Sequence, residues 1–420
     1  MLRRLLTATL FLATPGVASA QRGEPAVAAA PSGGVERVPP LGRAIALARE
    51  RATSVVAARG QLGVARAAHV GARLSSLQNP YFEILAQRGT SGTQDIAISG
   101  TAWLPLEVSG QRDRRIAEAD ALVAWQTESV ESARAAAAAE AMRAYGNVST
   151  AQARVKTLMD ALSASRDEAR IHKERVDAKD STLSDLTLAQ VEVARNAVAL
   201  GEAKSDLARA LAELARATGA PAYAAADDLE LRPPPPRAQD DGSAERTAER
   251  SPLVTPLARE AEVHARIRDR FDREGSPPVS LMLTAGRGDL GETRYGAGVA
   301  FTWAATRRNQ GEQARADSER VRALSEASSR KHAIAAALRG IAAERTVIAE
   351  TMDELSATGM PAAEASVSVA QALYKAGKGE LLRVFSARRD LVQLRVRLIE
   401  LASREWSLAA DAAALTGDAP

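Results

Sequence analysis

The chain has 420 residues, a formal net charge of +3, 25% charged residues, 3% aromatic residues and no cysteine. A charge this small and dispersed argues against a nucleic-acid partner, and the lack of cysteine excludes both disulfides and a lipid anchor on an N-terminal cysteine. The abundance of alanine, arginine and glutamate with helical periodicity favours long, closely packed helices over thick globular cores.

Residues 1–20 have the pattern of a secretory signal peptide. Arg3 and Arg4 precede a short apolar run, and Ala18-Ser19-Ala20 fits the small-x-small cleavage rule. Residues 21–40 are rich in Gly, Pro and Ala, which predicts a flexible lead-in. No later apolar run approaches the ~18 residues of a membrane helix. The chain is therefore expected to leave the cytoplasm and either to stay soluble or to enter a membrane through strands.

The sequence contains the same unit twice. The positions that match at one constant offset include Leu183 with Leu381, Leu186 with Val384, and Thr218-Gly219 with Thr416-Gly417. In each unit two strand-like runs lead through a tryptophan, Trp103 or Trp303, to a very long polar helix rich in alanine. A repeat of half the chain indicates a tandem duplication, because solenoid repeats are typically ~20–50 residues long.

The first repeat is predicted to cover residues 41–219. After a helix over 41–77, its elements are strands at 81–89 and 96–108 and long helices at 111–176 and 182–218. Residues 220–250 contain four consecutive prolines and predict a linker. The second repeat, residues 251–417, has strands at 279–285 and 295–303 and helices at 309–375 and 380–415, the former kinked or broken at Gly359-Met360-Pro361.

The two return helices have apolar residues at alternating steps of three and four, the spacing of coiled-coil packing. In the second copy this row is Leu391, Leu394, Leu398, Leu401, Leu408, Ala412 and Leu415, with Glu405 as the exception. In the first copy it is Val193, Leu200, Ala203, Leu207, Ala210, Leu214 and Ala217, with Asn196 as the exception. The two rows predict helices that pack side by side in a wall.

Three short motifs accompany the duplication. Arg308-Asn309-Gln310-Gly311 follows the last strand, Tyr374-Lys375-Ala376-Gly377 precedes a leucine pair, and Leu415-Thr416-Gly417 ends the last helix. Together they resemble the outer-membrane efflux proteins typified by TolC, and most of all the outer-membrane components of heavy-metal efflux systems of the RND type. The resemblance covers about residues 41–417.

The resemblance implies a mainly α fold with a membrane β part. In such proteins three identical chains contribute four strands each to a twelve-stranded β-barrel, which a periplasmic α-helical barrel continues. Four strands per chain are too few to close a barrel around a pore, and open strand edges do not survive in lipid. The residues alone thus also require several chains, while the number three comes from the resemblance.

The function that the resemblance implies is an outer-membrane channel, the passive exit duct of a tripartite efflux pump. Its expected partners are two further copies of itself, a periplasmic adaptor protein, an inner-membrane transporter and the lipid of the outer membrane. The alternatives are a periplasmic adaptor and an exported coiled-coil scaffold without a pore. Two hairpins with two amphipathic strand pairs favour the duct over both.

Aromatic and apolar residues in the strands are the candidates for contact with lipid. Tyr295, Val299, Phe301 and Trp303 alternate on one side of a strand, and Trp103 ends the equivalent strand of the first copy. A membrane barrel needs outward apolar residues and aromatic residues near the interfaces. The alternative interpretation is ordinary strand composition, which also favours aromatics.

The turns between paired helices are expected to dock onto the adaptor. Their residues are Ala178, Lys179, Asp180, Ala376, Gly377 and Lys378. Members of the family often have aspartates just after the second turn, where they narrow the periplasmic aperture. Here the matching residues are Arg383 and Ser386, while Asp185 keeps the acid in the first copy. These three are the aperture candidates, or else ordinary surface residues at helix ends, and the cargo stays open between a metal cation and an organic compound.

No catalytic or cofactor motif is present. The sequence has no nucleophile elbow, phosphate-binding loop or dinucleotide fingerprint, so neither an enzyme nor a cofactor is predicted. The histidines are isolated from one another, which predicts exposed positions on helix faces and no metal site; they are His69, His172, His264 and His332. The arginines that follow the strands, Arg112, Arg114, Arg115, Arg307 and Arg308, are either solvated helix starts or anchors at the membrane interface.

Overall fold

The computed structural model describes residues 36–75, 78–88, 96–179, 181–226, 229–234, 243–276, 279–288, 292–301, 306 and 308–419. The predicted signal peptide, the start of the lead-in and the turn at 90–95 lie outside these residues. The helices are α1 Leu41–Arg51, α2 Thr53–Ala72, α3 Gln111–Asp177, α4 Leu183–Thr218, α5 Ser243–Glu249, α6 Thr255–Glu274, α7 Gln310–Glu354, α8 Met360–Lys375 and α9 Leu381–Thr416. The strands are β1 Glu36–Arg37, β2 Tyr81–Arg88, β3 Ile96–Leu106, β4 Tyr223–Ala224, β5 Val279–Arg287 and β6 Thr293–Phe301.

The two copies contain the same succession of a short helix, a strand pair, a long helix and a return helix. The return helices α4 and α9 have 36 residues each, and each ends at a glycine in the left-handed conformation, Gly219 and Gly417. The 67 residues of α3 make a helix of roughly 100 Å, since each residue adds ~1.5 Å. No helix among the described residues combines the length and the apolarity needed to cross a membrane.

The structure differs from the sequence-based expectation at three places along the chain. The single helix predicted over 41–77 is interrupted at Ala52, whose backbone is extended. The predicted linker contains β4, which pairs in parallel with β1, and α5, which packs on α7. The predicted kink near Gly359 is a π-helical turn, Leu355–Gly359, placed just before Pro361. Proline lacks an N–H and clashes with the preceding turn, and a wider turn accommodates both effects.

The strands of both copies join in one antiparallel sheet with the order β2-β3-β5-β6. The central pair β3-β5 connects the first copy to the second, with Trp103 opposite Met282 and Thr101 opposite Thr284. Among the described residues, β2 and β6 are the outer strands. The sheet therefore ends in one strand from each copy.

The helices are held together by small side chains. Where α3 crosses α9, the fully buried Trp406 covers Gly146, and a Cβ atom at position 146 would lie 2.5 Å from the indole. The indole N–H donates to the carbonyl of Leu231 over 2.9 Å. Glycine at 146 thus permits a close approach of two helices from different copies.

The predicted apolar row of α9 is shifted by one residue in the structure. Of the predicted row only Leu408 is fully buried, and the continuous buried row is Ile399, Ala402, Trp406, Ala409, Ala410 and Ala413. Small alanines fill the closest contacts, so the larger leucines remain half-buried beside them. In α4 the predicted row agrees better, with Leu200, Ala203, Ala210, Leu214 and Ala217 buried.

Candidate functional site

The strand register divides the sheet into two chemically different faces. Side chains alternate along a strand, and residues paired across strands share a face. One face has Phe82, Ile84, Ala86, Arg88, Ile96, Ile98, Gly100, Ala102, Leu104, Leu106, Val279, Leu281, Leu283, Ala285, Arg287, Thr293, Tyr295, Ala297, Val299 and Phe301. We call it the apolar face, because its polar residues Arg88, Arg287 and Thr293 all lie at one end of the strands. The other has Tyr81, Glu83, Leu85, Gln87, Ala97, Ser99, Thr101, Trp103, Pro105, Ser280, Met282, Thr284, Gly286, Arg294, Gly296, Gly298 and Ala300, and we call it the polar face.

The apolar face is open to its surroundings. Tyr295 is 82% exposed, Phe82 is 78% exposed and Val299 is 65% exposed. Soluble monomeric proteins rarely expose so continuous an apolar surface without a partner that covers it. The predicted lipid-contact residues Tyr295, Val299 and Phe301 all lie on this face, and Trp303 lies outside the described residues.

Trp103 lies apart from the other predicted lipid-contact residues. Because it pairs with Tyr81 and Met282 in register, its side chain lies on the polar face, opposite to Tyr295, Val299 and Phe301. There its ring stacks on Tyr81 with centroids 5.7 Å apart and an interplanar angle of 10°. The equivalent tryptophan of the first copy therefore does not share the apolar surface.

The helices form a layer whose order repeats that of the strands. Next to the sheet the packing order is α2-α3-α6-α7, and farther along α3 it is α4-α3-α9-α8. The outer elements are again one from each copy. Most exposed apolar residues of the helices lie on these outer members, including Val56, Val64, Val70, Val191, Val198, Val321, Leu324, Val369 and Leu373.

The arginines after the first strand pair brace the junction between sheet and helices. Arg115 is 7% exposed, donates to Glu107 over 2.7 Å and also donates to the carbonyl of Leu74 over 3.1 Å. Arg112 donates to the Arg73 carbonyl, and Arg114 forms an ion pair with Asp269. Arg115 is thus buried at the junction and Arg114 is half-buried, whereas Arg112 is exposed at the helix start. Arg307 lies outside the described residues.

The two helical tips are exposed turns with positive backbone φ. Lys179 has a φ of 64° and Gly377 a φ of 69°, and their neighbours Ala178, Ala376 and Lys378 are exposed as well. Asp180 lies outside the described residues. The five residues are thus accessible at one end of the hairpins, and glycine is required more strictly at 377 than anywhere else in this turn.

The aperture candidates differ in their surroundings. Thr182 and Asp185 form a reciprocal capping box at the start of α4, and the Ser181 hydroxyl donates to Asp185 over 3.1 Å. Partial burial acts to raise the pKa of the Asp185 carboxyl, but the hydrogen bonds from Thr182 and Ser181 outweigh it and lower that pKa below its usual value. The Asp185 carboxylate therefore makes its hydrogen bonds within its own hairpin. Arg383 and Ser386 are exposed, and no ion pair joins Arg383 to Asp185 in the described part of the chain.

His172 contradicts the expectation of exposed histidines. It is fully buried, near the tips, with its ring 5.9 Å from that of Tyr374 in the second hairpin. Its spacing from Glu168, one helical turn away, was the only sequence signal that could have marked it. In the described residues no group of three or more His, Asp or Glu side chains is arranged to hold a metal ion.

Comparison with known proteins identifies the fold of the chain. No protein-family profile matches the chain. The cobalt-zinc-cadmium resistance protein CzcC of Cupriavidus metallidurans is 26% identical over 343 residues, which are 79% of each chain. The outer-membrane channel OprN superposes with a TM-score of 0.71 at 18% identity over 90% of both chains. The outer membrane protein VceC of Vibrio cholerae gives a TM-score of 0.69 at 16% identity over 90% of this chain and 97% of its own. The predicted resemblance and fold class are confirmed: the chain has the fold of TolC-like outer-membrane channels.

Proposed function

We propose that this chain, which has the fold of TolC-like outer-membrane efflux channels, is the exit duct of a tripartite efflux pump. It sits in the outer membrane through its strands, and its helices extend into the periplasm. Like its channel relatives, it is a conduit and not an enzyme. An inner-membrane transporter supplies the energy, and a periplasmic adaptor connects the two.

The observation that supports this most is the division of the sheet into two faces. In a membrane barrel the outward face is apolar and the inward face is polar, with a period of two along each strand. The apolar face supplies the lipid contact. The polar face, with its serines, threonines and glycines, lines a lumen.

The two open edges support assembly from several copies. A sheet that keeps β2 and β6 unpaired exposes backbone N–H and C=O groups, which lipid does not satisfy. Pairing β2 of one copy with β6 of the next removes both edges. The same pairing brings α2 and α4 of one copy against α7 and α8 of the next. This contact covers the exposed apolar residues on those helices. Three copies of this sheet would close the twelve-stranded barrel that the resemblance implies.

The helical tips are the proposed docking points for the adaptor. They lie at the far end of α3 from the sheet, roughly 100 Å away along the helix axis. Arg383 and Ser386 replace the acidic pair expected there, so the second tip does not present an acidic ring. The relative CzcC is named for resistance to cobalt, zinc and cadmium. Export of these metal ions should therefore be compared with export of organic compounds in the same cells.

Membrane fractionation tests the function against its alternatives. A duct is recovered in the outer membrane as an oligomer whose mobility changes on heating. A periplasmic adaptor or scaffold is recovered in the soluble or inner-membrane fraction, and that result would overturn the proposal.

A charge on each sheet face tests the barrel itself. Val299→Arg places a charge on the apolar face and is expected to cost about 2–4 kcal/mol per chain if it faces the middle of the membrane. The matched control is Thr101→Arg, on the polar face of a central strand and opposite Glu83. We expect loss of outer-membrane oligomer for Val299→Arg only; normal oligomer levels in that variant would count against a lipid-facing Val299.

A further inference from the structure

The polar face of the sheet has a row of large side chains at the end of the strands nearest the long helices. Tyr81 of β2, Trp103 of β3 and Met282 of β5 are paired in succession, so they stand side by side across the sheet. We call these three side chains the inner aromatic row. The rings of Tyr81 and Trp103 are nearly parallel, with centroids 5.7 Å apart. Since the inward face of a membrane barrel is usually polar, this row indicates a role other than lining a water-filled lumen.

Two glycines of β6 allow the neighbouring side chains of β5 to lean away from the row. An added Cβ atom at Gly298 would lie 3.0 Å from Cε of Met282, and one at Gly296 would lie 2.6 Å from Oγ1 of Thr284. Both side chains therefore extend over β6 and away from β3. The half-buried Trp103 ring is stacked on one side only, since no second ring and no guanidinium group among the described residues lies against it. Its other side is available to a flat molecule from outside the chain.

A carboxylate lies in the next row of the polar face, farther from the helices. Glu83 follows Tyr81 by two residues on β2, a distance of about 7 Å along the strand, and pairs with Thr101. It is exposed and makes no ion pair among the described residues. Arg294, the basic residue on the polar face of the described strands, is already paired with Glu292. Glu83 thus places an uncompensated negative charge next to the inner aromatic row.

The row and the carboxylate together are complementary to a flat organic cation. An aromatic ring attracts a cation to its face through its quadrupole, and it offers a large apolar area for stacking. The thioether of Met282 is polarisable and makes favourable contacts with aromatic groups. A bound metal ion instead needs several oxygen, nitrogen or sulfur ligands at fixed geometry, and Glu83 offers a single carboxylate. A positive charge spread over an aromatic framework uses the ring, the thioether and the carboxylate at once.

We propose that the inner aromatic row and Glu83 form a binding site for flat organic cations on the polar face of the sheet. All of its residues belong to one chain, so binding does not depend on closure of a barrel. The inference rests on the proposed function only where the polar face is equated with the lumen. In that case the site meets the cargo where it passes from the helical part into the barrel, and aromatic organic cations are a class of cargo.

Binding of ethidium, a planar aromatic cation, to the purified full-length protein in detergent tests the site through fluorescence polarisation. We expect Trp103→Leu and Glu83→Gln each to raise the dissociation constant about tenfold, because one removes the stacking surface and the other the opposite charge. Glu83→Gln keeps the shape of an exposed side chain, so its result does not depend on refolding of the sheet. The matched control is Phe82→Leu, next to Glu83 on β2 but 78% exposed on the apolar face, which should bind ethidium as the parent protein does.

Thr101→Arg provides a second test from the opposite direction. An arginine at this position, paired with Glu83 across the strands, competes with the ligand for the carboxylate. We expect it to abolish ethidium binding while the level of outer-membrane oligomer stays that of the parent. Equal ethidium binding by the parent, Trp103→Leu and Glu83→Gln overturns the inference. Binding of Zn²⁺ that depends on Glu83, without binding of ethidium, also overturns it.

Current through planar bilayers separates this inference from the proposed function. A channel current that ethidium blocks in the parent, but not in Trp103→Leu, supports both proposals. Ethidium binding that depends on Trp103, without any channel current, supports the site and contradicts the duct. A channel current without ethidium binding that depends on Trp103 supports the duct and contradicts the site.

Discussion

The two hairpins are built from the same unit but differ in how firmly they are held. The first pairs an uninterrupted α3 with α4, and its turn is followed by a capping box. The second reaches its tip through a π-helical turn and α8, in which no residue is fully buried, and Glu380 makes no side-chain capping bond at the start of α9. Helices in proteins owe most of their stability to packing. The comparison indicates a firm first hairpin that supports a more loosely held second one.

The contact between the copies should be the most sensitive point of this arrangement. Gly146→Ala would place a Cβ atom 2.5 Å from Trp406, and overpacking of this kind typically costs about 1–3 kcal/mol. Gly340→Ala in α7 and Gly201→Ala in α4 meet nothing within 4 Å, and should stabilise by about 0.5–1 kcal/mol because alanine favours helices. Urea unfolding followed by circular dichroism measures all three. Equal effects at 146 and 340 would contradict the close helix contact.

The helix starts at the two tips provide a second contrast. Thr182→Ala removes a side-chain cap and is expected to cost about 0.5–2 kcal/mol. Glu380→Ala, at the matching position of the second hairpin, removes no capping bond and should have a much smaller effect. If both substitutions lower the free energy of unfolding equally, the hairpins are not held differently at their tips.

The cap of the first hairpin should also depend on pH. The pKa of Asp185 is lowered in the folded chain, so its carboxylate contributes stability above its unfolded value of about 3.9 and loses it as the pH falls through the folded value. The difference in stability between the parent and Asp185→Asn should therefore be present at neutral pH and disappear on acidification below pH ~4. A difference that persists at pH ~2 would exclude ionisation as its source.

The turns themselves give the smallest expected effects, of opposite sign. Gly377→Ala forces a Cβ into a left-handed conformation and should cost about 1 kcal/mol, whereas Lys179→Gly relieves the same strain and should gain a few tenths of a kcal/mol or more. Thermal unfolding of the periplasmic helices compares the two. A gain for both substitutions would mean that the second turn does not need its glycine conformation.

Sequence periodicity predicted the helices and strands well where local signals were strong. A run without proline and rich in alanine specifies α3, and Gly219 and Gly417 mark helix ends because glycine alone adopts the left-handed conformation without strain. Alternation along β6 likewise indicated that Tyr295, Val299 and Phe301 share a face. Local signals were weak at Ala52 and in residues 220–250, where β4 and α5 form only through contacts with distant elements.

The sequence by itself determined the long helices and the strand pairs, since each of these depends on residues close together in the chain. Only the tertiary structure decided which faces and rows meet. Strand register separated Trp103 from the apolar face, the crossing of α3 and α9 moved the buried row to Trp406, and the meeting of two hairpins buried His172 against Tyr374. These outcomes depend on pairs of residues far apart in the chain, and no period within a single helix or strand encodes them.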